Sequence, residues 1–83
     1  MKYTVVWVPS AQQRLAAIWL AATDRRAVTA AADRIDKWLA VDPATRGTAV
    51  YGTTRELTVP PLGVEFEIMD DDRMVNVLSV WRY

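Results

Sequence analysis

Between Val64 and Ile68 the chain alternates without a break: Val64, Phe66 and Ile68 fall on one side, Glu65 and Glu67 on the other. Only an extended backbone, whose side chains point to opposite faces with a period of two, separates these residues cleanly. The segment is therefore a strand with one buried face, and it needs strands beside it to pair its backbone groups. Residues 49–59 precede it and end at Pro60-Pro61; residues 73–82 follow it after Asp70-Asp71-Asp72. Paired prolines and clustered aspartates mark turns, so the last third reads as a three-stranded meander. In its final strand Met74, Asn76, Leu78, Val80 and Arg82 alternate onto one face, and Val75, Val77, Ser79, Trp81 and Tyr83 onto the other. Both faces are apolar over much of the length, which suits a strand in the interior of a sheet.

The first half switches from one period to another. Residues 2–8 are β-branched and aromatic and read as a strand ended by Pro9. Ser10, with Gln13 three residues on, has the pattern of a capping box for a helix over residues 11–22. Leu15, Ile18, Trp19 and Ala22 share one face of it. Thr23-Asp24 marks a break and a second cap. A helix over residues 25–40 follows, with Val28, Ala31, Ala32, Ile35, Trp38 and Leu39 as its apolar stripe. The short connection predicts an antiparallel helical hairpin, and residues 42–47 are a loop. The order is β-α-α-β-β-β. The fold class is α+β: one domain over residues 1–83, a small, mainly antiparallel sheet packed against an N-terminal helical hairpin.

Composition removes many function classes. The chain has no cysteine and no histidine, so disulfides, thiolate chemistry and the commonest acid–base group and metal ligand are absent. Its glycines are Gly47, Gly52 and Gly63, too scattered for a phosphate-cradling loop. Asp70-Asp71-Asp72 lacks the spacing of a calcium loop. Neither a metal nor a cofactor is called for. No apolar run reaches the roughly 20 residues that a bilayer span needs, so no membrane association is expected, and a soluble cytoplasmic protein is the default. Ten basic residues balance ten acidic ones, whereas a dedicated nucleic-acid binder is visibly basic. Eight of the ten basic residues are arginine, which suits planar pairing with carboxylate or phosphate. Trp7, Trp19, Trp38 and Trp81 read as core residues, with any surplus available to an interface.

The chemistry that remains is electrostatic. RNA is cut when its own 2′-hydroxyl attacks the adjacent phosphorus. A protein assists by aligning that attack, stabilising charge on the phosphoryl oxygens and moving protons. Arginine supplies charge, and tyrosine a hydrogen bond or a proton. Against this background the motifs matter: Val5-Val6-Trp7-Val8-Pro9-Ser10-Ala11 with Leu15, then Arg55-Glu56-Leu57, then Leu62-Gly63-Val64-Glu65-Phe66-Glu67-Ile68, then the acidic turn, Val75-x-Val77 and Val80-Trp81-Arg82-Tyr83. Over its whole length this series resembles the RelE/ParE superfamily of toxins from bacterial type II toxin–antitoxin systems.

The resemblance implies a sheet backed by two helices and a small cognate antitoxin wrapped over the toxin. It also implies one of two activities. RelE-like members cut messenger RNA on the ribosome without a metal, and ParE-like members poison DNA gyrase. By position it implies Arg55, Arg82 and Tyr83 as catalytic residues and Arg46 as an RNA contact. Gly63 stands where the family has an arginine, and Glu65 and Glu67 share its face. These three motivate a second reading: a RelE-like scaffold without catalytic activity that serves as a binding or regulatory module.

Overall fold

A computed structural model describes residues 2–83. Strand β1 (Thr4–Trp7) leads into helices α1 (Pro9–Ala21) and α2 (Arg25–Val41), and a short 3-10 turn over Pro43–Thr45 leads out of them. Four strands follow: β2 (Thr48–Tyr51), β3 (Thr54–Val59), β4 (Leu62–Met69) and β5 (Met74–Arg82). They form one mixed sheet in the order β1-β5-β4-β3-β2. The β1–β5 pair is parallel, and the other three pairs are antiparallel. The expected architecture is present, and β5 does lie inside the sheet. Among the described residues no helix is long and apolar enough to cross a membrane.

Three local expectations are corrected. The segment 49–59 is two strands rather than one, because the chain turns back at Gly52, whose φ of 52° favours glycine. α1 starts at Pro9 rather than at residue 11. Val8 is its N-cap, and no side chain caps it, so the Ser10–Gln13 box does not form. Proline at the first helical position has its φ preset and loses no bonded N–H, which makes it a better start than the serine beside it. The third correction concerns β5. Glu65 lies opposite Ser79, but Phe66 lies opposite Val77, so Leu78 is an extra residue in the ladder. Such a bulge exchanges the two faces of everything after it. Val75 and Val77 share the helix side with Val80 and Arg82, while Asn76 shares the open side with Ser79 and Trp81.

One face of the sheet packs on the helices. Val28, Ala31, Ile35 and Leu39 of α2 and Ile18 of α1 meet Leu57, Val59, Leu62, Val64, Phe66, Val75, Val77 and Val80. Burial of these aliphatic groups and of Phe66 is the main stabilising term, at roughly 1.5–3 kcal/mol per large side chain. The tryptophans are not the core. Trp7 and Trp38 pack at its margin, Trp19 is 39% exposed, and Trp81 lies on the opposite face. Trp7 reaches the polar edge, where its indole N–H donates to Asp36 Oδ1 at 2.6 Å. Arg25 closes the helical hairpin: its guanidinium lies 4.6 Å from the Trp19 ring and donates to the carbonyls of Trp19 and Leu20 at the end of α1. Carbonyls of a helix's last turn lack the regular i+4 donor; that of Trp19 also accepts the Ala22 N–H at 3.2 Å, and Arg25 adds donors to both that help terminate α1 and set the second helix against it.

Candidate functional site: the open face of the sheet

The side of the sheet away from the helices is a surface built by register. Cross-strand partners share a face, so Gly63 with Trp81, Glu65 with Ser79 and with Glu56, Glu67 with Asn76 and with Thr54, and Thr58 with Gly63 together define it. Thr4 and Val6 extend it onto β1. Glu56 and Glu65 lie directly opposite one another, and Glu67 is the next residue on that face of β4. Like charges in that arrangement repel and weaken the sheet.

Gly63 has a specific reason to be glycine. A Cβ built at this position would stand 2.5 Å from Cε2 of the Trp81 indole, well inside van der Waals contact. The indole therefore sits over Gly63 and occupies the space that any side chain at position 63 would use. The sequence showed Gly63 as a gap where an arginine was expected. The structure shows the gap filled by Trp81, its cross-strand partner.

The arginines are elsewhere. Arg55 lies opposite Phe66, on the helix side of β3. Its Nε donates to the Arg46 carbonyl at 2.9 Å and its Nη2 to the Gly47 carbonyl at 3.1 Å. These bonds tie the loop after α2 to the sheet. Arg82 lies opposite Leu62, also on the helix side. Its Nη2 donates to Asp24 Oδ2 at 2.8 Å, the single ion pair among the described residues. The Arg82 guanidinium holds the Asp24 carboxyl below its usual range, and Asp24 in turn raises Arg82. Asp24 is the N-cap of α2 but makes no capping bond, because its carboxylate is turned to Arg82. Arg46 is half-buried with its guanidinium 4.7 Å from the Trp38 ring, a cation–π stack at the far end of the helix layer.

Tyr83 donates its backbone N–H to the Pro61 carbonyl at 3.2 Å, and the residue is 61% exposed. Alternation past Trp81 places it on the open side. Of the four residues singled out in the sequence, Tyr83 alone accompanies the open face; Arg55, Arg82 and Arg46 are separated from it by the sheet. Among the described strand residues no basic side chain points to that side. The residues that sequence reasoning missed are Glu56, Asp24 and Trp81. Glu56 carries a sequence signal, since it alternates with Arg55 and Leu57. The other two depend on the bulge.

Chemically, three carboxylates with no cation cannot neutralise developing charge on a phosphoryl group, and they repel a phosphate backbone. No group of acidic side chains among the described residues has the arrangement of a metal site.

A mixed five-stranded sheet with two helices on one face and an open second face is a small α+β architecture. No protein-family model matches the chain, and no curated protein matches it. Solved structures do. A chain of the toxin–antitoxin complex RelBE2 from Mycobacterium tuberculosis superposes with a TM-score of 0.82 at 19% identity, over 100% of this chain and 93% of that one. A mutant of E. coli toxin RelE in the free state gives 0.72 at 13% identity, over 99% and 84%. A chain of the chromosomal ParDE system from P. aeruginosa gives 0.67 at 18% identity, over 98% and 96%. The chain has the RelE/ParE fold along its whole length.

Proposed function

We propose that this chain is the toxin of a toxin–antitoxin pair, that a small cognate antitoxin neutralises it, and that it inhibits growth by binding a protein target rather than by cutting messenger RNA. The observation that carries the second half is the open face, with Glu56, Glu65 and Glu67 on it and both strand arginines on the other side. A ribosome-dependent nuclease working through Arg55, Arg82 and Tyr83, with Arg46 on the RNA, would have to break the Asp24 ion pair, the two carbonyl bonds of Arg55 and the Trp38 stack. A gyrase-directed or other protein-directed toxin requires none of this. The first half is supported by the fold and by the two neighbours that are parts of toxin–antitoxin systems. The test is induced expression of the chain alone in a bacterial host, followed by growth, messenger RNA ends and plasmid supercoiling, with and without a co-expressed candidate antitoxin. Growth arrest with intact messenger RNA, relieved by the antitoxin, is the expected result. Healthy growth at confirmed soluble expression overturns the toxin reading and leaves a binding module. Codon-positioned cleavage overturns the mode of action.

A further inference from the structure

A furrow runs along α1 where the helix crosses the end of β5. One lobe, of about 390 Å³, is lined by Arg14, Ile18, Ala21, Ala22, Thr23 and Arg82. A second lobe, of about 280 Å³, lies between Ser10, Arg14, Leu78 and Ser79. Arg14 lines both lobes and so stands where they meet. It is exposed and makes no ion pair or side-chain hydrogen bond among the described residues.

Arg82 is only partly engaged. A guanidinium has five N–H donors and pairs best with a carboxylate through two of them. Here one nitrogen meets one oxygen, Asp24 Oδ2, while Asp24 Oδ1 is buried with no partner. The remaining donors of Arg82 are left at the furrow's edge, across alanine side chains from Arg14. Two guanidiniums over an apolar floor, offset by one carboxylate, leave a single net positive charge.

We propose that this furrow binds an extended, carboxylate-bearing peptide segment of a partner protein. The carboxylates pair with Arg14 and Arg82, and small apolar side chains seat on Ala17, Ala21 and Ala22. The alanine floor favours a peptide over a nucleic acid, because a phosphate backbone needs a run of cations rather than two. The site is on the opposite side of the sheet from the acidic face, and the inference does not depend on whether the chain arrests growth.

The test uses the purified, isotope-labelled chain and three probes: a blocked Leu-Glu-Ala-Leu-Asp peptide, its Gln/Asn counterpart, and an oligouridylate. Amide shifts on titration to millimolar probe should centre on Arg14, Ala21–Thr23 and Arg82 with the acidic peptide. Affinity should fall about tenfold in Arg14→Gln, the loss expected for one charge-assisted contact. Arg14 is on the surface, so that variant keeps the fold, and an unchanged spectrum elsewhere verifies it. Equal binding of the neutral peptide, shifts confined to another surface, no shifts at all, or oligouridylate binding at Arg14 and Arg82 in place of the peptide would each overturn the proposal.

Discussion

The two faces of this sheet are made from the same strands, yet they do opposite things with charge. On the helix side Leu57, Val59, Leu62, Val64 and Phe66 are buried, and the arginines at its edges are consumed in structural contacts. On the open side three glutamates gather around a tryptophan lying on a glycine. A pattern of arginines near the ends of adjacent strands is thus no evidence of a basic surface until the register is known. One extra residue, Leu78, decides which face receives Arg82.

Substitutions in the helix-side core should have the greatest effect. Phe66→Ala removes a wholly buried ring and should cost about 3–5 kcal/mol. In a domain this small that unfolds much of the population, and chemical denaturation followed by tryptophan fluorescence measures it.

Next comes the seat of Trp81. Gly63→Ala drives a methyl into the indole and should cost about 1–3 kcal/mol. The double variant Gly63→Ala with Trp81→Ala should recover much of that loss relative to Trp81→Ala alone. Additive losses in the double-mutant cycle would mean that the two residues are not in contact.

Arg55→Ala leaves the carbonyls of Arg46 and Gly47 without their donors and should cost about 1–2 kcal/mol. Its mark should be faster amide exchange in residues 42–48. An effect on stability with no change in that loop would place Arg55 elsewhere.

The smallest effect is the pH dependence of the Asp24–Arg82 pair. Asp24 is held below its unfolded value by Arg82. The contribution of the pair is therefore complete above the unfolded carboxyl's range and is lost as pH falls through the lower folded value. The stability difference between the wild-type chain and Asp24→Asn should be present at neutral pH and shrink toward zero in acid. A pH-independent difference would contradict the pairing. At the alkaline end the sign reverses. Tyr3 donates to Asp70 at 2.7 Å, and that bond raises its ionisation above the ordinary phenol range. The stability it adds is complete below the unfolded phenol's value and is lost as pH rises through the folded one. Tyr3→Phe should erase that alkaline component.

Much of the fold was legible in the sequence because hydrophobic period is a local signal. The clean alternation at 64–68 and the stripe from Val28 to Leu39 are both where the pattern put them. The misses have one cause, which is that they are set by pairing rather than by local sequence. The bulge at Leu78 has no glycine or proline to announce it. The hairpin at Gly52 is short and its first strand fully exposed, so it carries no alternation of burial. The candidate site was legible only in part. Glu65 and Glu67 were placed on the open face with Gly63, correctly, but the arginines were assigned by their place in the chain, and the register put them behind the sheet. Asp24 read as a helix cap because that is what an aspartate before a helix usually does. Nothing local says that an arginine 58 residues away takes its carboxylate instead.

The proposed mode of action rests on an acidic open face with Arg55 and Arg82 engaged behind it. The most direct test is to add the purified chain to ribosomes translating a defined messenger RNA and to map the RNA ends. Uncut RNA at saturating protein is the expected result. Cleavage in the ribosomal A site, abolished by Arg55→Ala or Arg82→Ala in variants that remain folded, would contradict it.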